Sequence, residues 1–157
     1  HHHPNATSFM LIDIVWGFHL LLTGMMVGII WFVQWVHYPL FHQVPSDDFP
    51  DYESYHVKRT GQLIAPVMIG ELGTATLLVF LPSAYISTTW AWVNLGGVGL
   101  LWLSTFLIQV PLHAALGESG REETITKLVT SNWIRTLIWT LRGILLICWA
   151  IKPNLFL

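Results

Sequence analysis

Charge is what this sequence has least of. Only 10% of its 157 residues are Asp, Glu, Lys or Arg, against about 25% in an ordinary soluble domain, and that scarcity excludes a soluble globular enzyme. A net charge of −2 excludes the positive surface that nucleic acid requires. The single cysteine, Cys148, lies inside an apolar run. No disulfide framework, Cys-x-x-Cys redox pair or thiolate metal site is therefore available. What the chain does have is apolar bulk: 54% hydrophobic residues, nine tryptophans and a mean hydropathy of +0.58, which excludes a disordered tail. This is the composition of a membrane protein.

Residues 1–8 read as a tag and flank, because His1, His2 and His3 look like an affinity remnant. Residues 9–157 read as a single four-span transmembrane domain. Apolar runs occupy 14–36, 63–81, 92–112 and 133–151, and each is long enough to cross about 30 Å of hydrocarbon as a helix. The first run has no basic region before it and no small-residue cleavage site after it, so it reads as a retained span. The expected fold class is all-α, a four-helix transmembrane bundle. The prolines and aspartates of 42–51 predict a surface loop, and 121–129 reads as a short amphipathic helix lying along the interface.

Lys58, Arg59, Arg121 and Lys127 fall on one side of this plan and Lys152 on the other. The positive-inside rule then puts the long connections in the cytoplasm and both termini outside. A tandem repeat of two helical hairpins is also legible: His37 and His113, Arg59 and Arg135, and Trp16 and Trp92 all stand 76 residues apart. Gly17, Gly24, Gly28, Gly96 and Gly99 are small enough for close helix contact.

Each run carries one polar line at helical spacing. On the first it is His19, Thr23, Met26, Ile30, Gln34 and His37; on the second Thr60, Ile64, Glu71 and Thr74; on the third Trp102, Phe106, Gln109 and His113; on the fourth Arg135, Trp139 and Arg142. Ionisable groups in lipid face the bundle interior and need partners. Glu71 and Arg142 fall at mid-depth, where they are placed to form an ion pair, with proton transfer or anchoring of a buried anion as the functional alternative. His19, towards the outer side, reads as a satisfied interior ring.

The second group, Gln34, His37, His56, Arg59, Gln109, His113 and Arg135, falls at the cytoplasmic boundary. One reading is redox chemistry on a bound cofactor. His37 and His113 would ligate haem b, with Gln34, Gln109 and Arg59 around it, or His37, His56 and His113 would hold a transition metal. No His-x-x-x-His or Glu-x-x-His is expected on one helix, which counts against a ferritin-like di-iron site. A second reading is acid–base or redox chemistry on a lipophilic aromatic or quinone-like molecule, with Glu71, Arg135 and Arg142 as its catalytic groups. The third is a non-catalytic accessory subunit of a respiratory or photosynthetic complex, and the fourth a small transporter, which needs a homodimer for alternating access.

With Trp31, Gln34, His37-Tyr38-Pro39-Leu40, His56, Arg59, Trp102, 109–113 and 132–136 in view, the chain resembles a group of uncharacterised small four-span bacterial integral membrane proteins. The resemblance covers nearly all of 14–151 and implies a bacterial inner membrane but no activity. More loosely, the layout is similar to the anthrone-oxygenase-like membrane family, on the strength of four spans and an arginine, Arg59, shortly before a Pro66-containing second helix. No catalytic motif of that family maps onto these residues. Four-span haem proteins such as the membrane protoporphyrinogen oxidase look similar in plan alone.

Overall fold

The structure, a computed structural model, describes residues 6–116, 121–153 and 155. Four long helical rods, 10–43, 49–80, 88–115 and 121–151, are each apolar and long enough to cross a membrane. The first rod is α1 (Ala6–Phe32), a π-helical turn at Val33–His37, α2 (Tyr38–Leu40) and a 3₁₀ turn at Phe41–Gln43. The second is α3 (Phe49–Phe80). The third is α4 (Thr88–Ser104), a second π turn at Thr105–Gln109 and α5 (Val110–Ala115). The fourth is α6 (Arg121–Ile151). The protein is thus an all-α four-helix membrane bundle, and no strand occurs among the described residues.

The rods pack in a square. The first lies against the second and the fourth, and the third against the same two. With four passes, the 81–87 connection sits at the same end as Ala6 and Pro153, and the 44–48 connection sits at the other with Leu116 and Arg121. Two apolar cores fill the inside. One groups Trp16, Leu78, Ile86, Leu146 and Trp149 near the termini; the other groups Met26, Ile30, Phe41, Phe49, Leu101 and Trp139 towards the opposite end.

Helix boundaries follow local chemistry. Ser87 caps α4 by accepting a hydrogen bond from the Trp90 backbone N–H, as an N-cap serine does. Pro50 falls in the first turn of α3, where its missing N–H has no helical partner to lose. That placement shortens the expected 42–51 loop to Val44–Asp48 and starts the second rod well before its apolar run. The amphipathic 121–129 segment is likewise not a separate surface helix: it is the first part of α6 and continues without a break into the fourth span.

Pro39 and Pro111 each follow a π turn. A proline ring clashes with the carbonyl four residues back, and the wider π turn makes room for it, so both rods continue past their prolines. The two π turns, the two prolines and the starts of α3 and α6 all stand 72 residues apart. At that separation His37 corresponds to Gln109, and His113 to Phe41. These features recur between the two hairpins at 72 residues, so the 76-residue matches lie one helical turn out of their register. Arg59 is exposed whereas Arg135 is buried.

The glycines behave differently from expectation. A Cβ on Gly17, Gly24, Gly28, Gly96 or Gly99 would meet nothing within 4 Å, so none of these mediates close helix contact. The tight approaches fall at Gly70 against Leu22, Gly97 against Arg142 and Gly143 against Val27.

Candidate functional site

Two polar networks occupy the interior at different depths. The deeper one centres on Glu71, which is fully buried, and Arg142, 6% exposed. Arg142 Nη1 donates to Glu71 Oε2 at 3.1 Å, and the Trp139 indole N–H reaches both carboxylate oxygens at 3.1 and 3.0 Å. Arg142 Nε donates to Asn94 Oδ1 at 3.0 Å. His19 Nε2 faces Asn94 Nδ2 at 2.9 Å and Arg142 Nη2 at 3.3 Å. Both are donors, so the ring carries its proton on Nδ1 and gives it to Thr74 Oγ1 at 2.7 Å. The Glu71–Arg142 pair expected at mid-depth therefore forms. His19 is the satisfied interior ring expected, and its partners make it a member of the same network.

The second network lies at the opposite end from the termini. The long α3 rod carries Glu53 and His56 on a helical extension that precedes its apolar run. The π turn of the first rod brings Gln34 and His37 inward, and α5 supplies His113. His37 Nε2 lies 2.5 Å from His56 Nδ1, and Thr60 Oγ1 is 3.1 Å from the same nitrogen. Glu53 Oε1 accepts from His113 Nδ1 at 2.8 Å. On its other side His113 Nε2 accepts from the Tyr38 hydroxyl at 3.0 Å, and Arg135 Nη2 donates to that hydroxyl at 3.1 Å. Glu53, His113, Tyr38 and Arg135 thus form one unbroken hydrogen-bonded chain.

One ligand atom from each of Glu53, His56 and His113 lies within 4.8 Å of the other two. Two bonds of about 2.1 Å meeting at roughly 90–110° put their donor atoms about 3.0–3.4 Å apart. The Glu53–His113 separation is already close to that, so small side-chain movements suffice to enclose an ion. Glu53 Oε2 is buried with no hydrogen-bond partner, which leaves a carboxylate oxygen ready for a cation. Phe41, fully buried, packs edge-on against all three imidazoles, with ring centroids 5.1 Å from His37, 5.2 Å from His56 and 6.3 Å from His113. It gives the cluster an apolar wall.

Around this cluster the amides are structural. Gln34 Oε1 accepts from Asn132 Nδ2 and Thr136 Oγ1, each at 3.0 Å, and its Nε2 donates to the Val129 carbonyl at 2.9 Å. Gln109 accepts from Ser104 at 2.9 Å and donates to Ser131 at 3.3 Å. Arg135 Nε donates to Asn132 Oδ1 at 2.9 Å and its Nη1 to Thr105 at 3.2 Å. These bonds tie the two π turns to α6 and hold Arg135 against Tyr38.

Of the residues singled out from sequence, His37, His56, His113 and Arg135 converge, while Gln34 and Gln109 support them from one shell out. Arg59 does not join. It is exposed and lies over the Tyr55 ring at 5.5 Å, because α3 is already helical there and turns it outward. Phe106 is also off the polar line at 57% exposed, since the π turn rotates the register after Ser104. Glu53 was missing from the sequence reading, although Glu53-Ser54-Tyr55-His56 is a Glu-x-x-His pair that places both side chains on one helix face. Tyr38 was noted only as a neighbour. No family model, curated protein or solved structure matches the chain.

Proposed function

We propose that this integral membrane protein is a metalloprotein whose ion is held by Glu53, His56 and His113, with His37 as a fourth ligand or as the hydrogen-bond partner that orients His56. The observation that carries the reading is the convergence of the three ligand atoms within 4.8 Å, drawn from α3 and α5. Two imidazoles and one carboxylate are the donor set of non-haem iron and catalytic zinc sites, and they leave coordination positions free for water or a substrate oxygen. Tyr38, held by Arg135, would take the outer role seen around metal-bound imidazoles: with an ion on Nδ1 in place of its proton, His113 would carry its proton on Nε2 and donate it to the Tyr38 hydroxyl.

A single ion is favoured over haem b. His56 lies in ring contact with both His37 and His113, at centroid distances of 4.3 and 5.3 Å, and Phe41 packs against all three rings. Side chains fill the interval that a macrocycle between His37 and His113 would need. The loose likeness to the anthrone-oxygenase-like membrane family agrees with metal-assisted redox chemistry on a lipophilic compound at this end. By the charge balance of the connections, that end faces the cytoplasm.

The test is elemental analysis of protein purified in detergent, stripped with a chelator and reloaded in turn with Fe(II), Co(II) and Zn(II). One ion per chain is expected, and the Co(II) form should show ligand-field absorption that is lost in the His56→Ala/His113→Ala double variant. Equal metal content in wild type and the folded double variant would overturn the reading.

A further inference from the structure

One stretch of outer surface breaks the pattern of the other rods. His37 meets His56 at 2.5 Å, His56 and His113 are in ring contact at 5.3 Å, and Asn132 meets Gln34 at 3.0 Å. At about 1.5 Å per residue, these contacts set residues 58–62 of α3 level with 31–35 of the first rod, 106–110 of the third and 131–135 of the fourth. At that level the other three rods present apolar side chains outward, with Trp35 73%, Leu107 70% and Ile134 45% exposed. α3 instead exposes Lys58, Arg59 and Gln62. At the 72-residue separation of the two hairpins, Gln62 corresponds to Ile134.

These polar residues share a face. Tyr55, Arg59 and Gln62 stand at i, i+4 and i+7, and Lys58 lies beside them. No ion pair or hydrogen bond among the described residues uses the side chain of Lys58, Arg59 or Gln62. Arg59 only lies over the Tyr55 ring, at 5.5 Å. Of the acids earlier on α3, Glu53 is turned inward onto His113, and Asp51 stands about 10 Å further along the axis from Lys58. Two positive charges are therefore left without a counter-charge on the outside of the bundle.

Their direction is informative. Helical side chains lean towards the N-terminus of their helix, and the N-terminus of α3 lies at the water end. Lys58 and Arg59 therefore reach up from hydrocarbon depth towards the membrane surface, keeping their stems in the apolar zone and their charges near the headgroups. The position of Arg59 over Tyr55, one turn nearer that end, shows the lean directly.

Charge and depth together select the partner. The anionic groups that occupy the edge of a bilayer are lipid phosphates, and each nearby Lys or Arg strengthens their binding severalfold. A water-borne acidic peptide would have to descend below the level of the histidine cluster, where lipid already sits. A zwitterionic headgroup brings its own cation to a face that already holds two, so a headgroup of net negative charge fits better. Leu63 and Ile69, 56% and 60% exposed, continue the outer surface of α3 beneath the cations and suit acyl chains.

We propose that this face of α3 binds an anionic phospholipid, with the phosphate on Lys58 and Arg59 and the acyl chains against Leu63 and Ile69. The site lies on the outside of the bundle and stands independently of the metal assignment.

The experiment is native mass spectrometry of the protein released from mixed micelles that contain equal amounts of phosphatidylglycerol and phosphatidylcholine with the same acyl chains. One phosphatidylglycerol per chain should be retained, in preference to phosphatidylcholine by about tenfold. Lys58→Gln and Arg59→Gln should each cut that preference severalfold and together abolish it, at unchanged melting temperature. Lys127→Gln, which neutralises an exposed cation on α6 at the same end, should keep it. Equal retention of the two lipids by wild type, an unchanged preference in both single variants, or an equal loss in Lys127→Gln would each overturn the proposal. Displacement of the lipid by millimolar inorganic phosphate would assign the cations to a free anion, and a dimer lost in the single variants would assign the face to a second copy of the chain. Either result would also overturn it.

Discussion

Glu71 and Arg142 meet at 3.1 Å at mid-depth, each almost wholly buried, and every other member of their network hydrogen-bonds to one of them or to His19. Removing one partner of such a pair leaves the other charged and unpaired in hydrocarbon, at a cost of about 3–5 kcal/mol. Glu71→Ala and Arg142→Ala should each lower the melting temperature in detergent sharply. The double variant should be less destabilised than the sum of the two, because the stranded charge is then gone. Strict additivity would show that the two residues act separately.

The 2.5 Å approach of His37 to His56 makes a graded prediction for metal binding. Glu53→Ala and His113→Ala remove ligands outright and should abolish tight binding. His37→Ala removes either a fourth ligand or an orienting partner, and in the latter case affinity should fall by about 10–100-fold. Competition with a chromophoric chelator measures each constant. His37→Ala binding as tightly as wild type would remove His37 from the site.

Tyr38→Phe deletes one oxygen and strands two groups, Arg135 Nη2 and His113 Nε2. An unsatisfied buried polar group costs about 1–3 kcal/mol. The variant should therefore unfold at lower temperature while its helix content stays the same. Melting followed by circular dichroism checks both at once, and an unchanged midpoint would mean the hydroxyl has no part in holding the bundle.

Glycine substitutions should divide by position and not by sequence spacing. Gly24→Ala and Gly28→Ala add a Cβ to open space on α1 and should stabilise by up to about 1 kcal/mol through helix propensity. Gly97→Ala drives a Cβ into the Arg142 side chain and should cost about 1–3 kcal/mol. Thermal stability in one detergent decides the order. A loss at Gly24 equal to that at Gly97 would restore the packing role that the sequence implies for the first glycine line.

The spans were legible because twenty-residue apolar runs have few alternatives, and the mid-depth pairing of Glu71 with Arg142 followed from matching positions in two such runs. The Glu53–histidine cluster was only half legible. His37, His56 and His113 stood out, but Glu53 lies ten residues before the second apolar run, where hydropathy gives no sign that α3 has already begun. Pro50 in a first turn was the available signal. Phe106 was misplaced because a π turn inserts a residue that a constant 3.6 period cannot register, whereas the 76-residue matches were coincidences between single residues, since both hairpins carry the same π turn. Arg59 went the other way, credited to the cluster by closeness in sequence when its helix already faced it outward.

The overhang of α3 has one more implication. At 1.5 Å per residue, Glu53 and His56 stand about 15 and 10 Å along the rod from the first residue of their apolar run, yet Glu53 meets His113, one residue past the run 92–112, at 2.8 Å, so the cluster sits at the edge of the oily layer. Solutes dissolved in water can reach this end of the bundle without crossing hydrocarbon, whereas the Glu71–Arg142 network near the bilayer centre lies out of their reach.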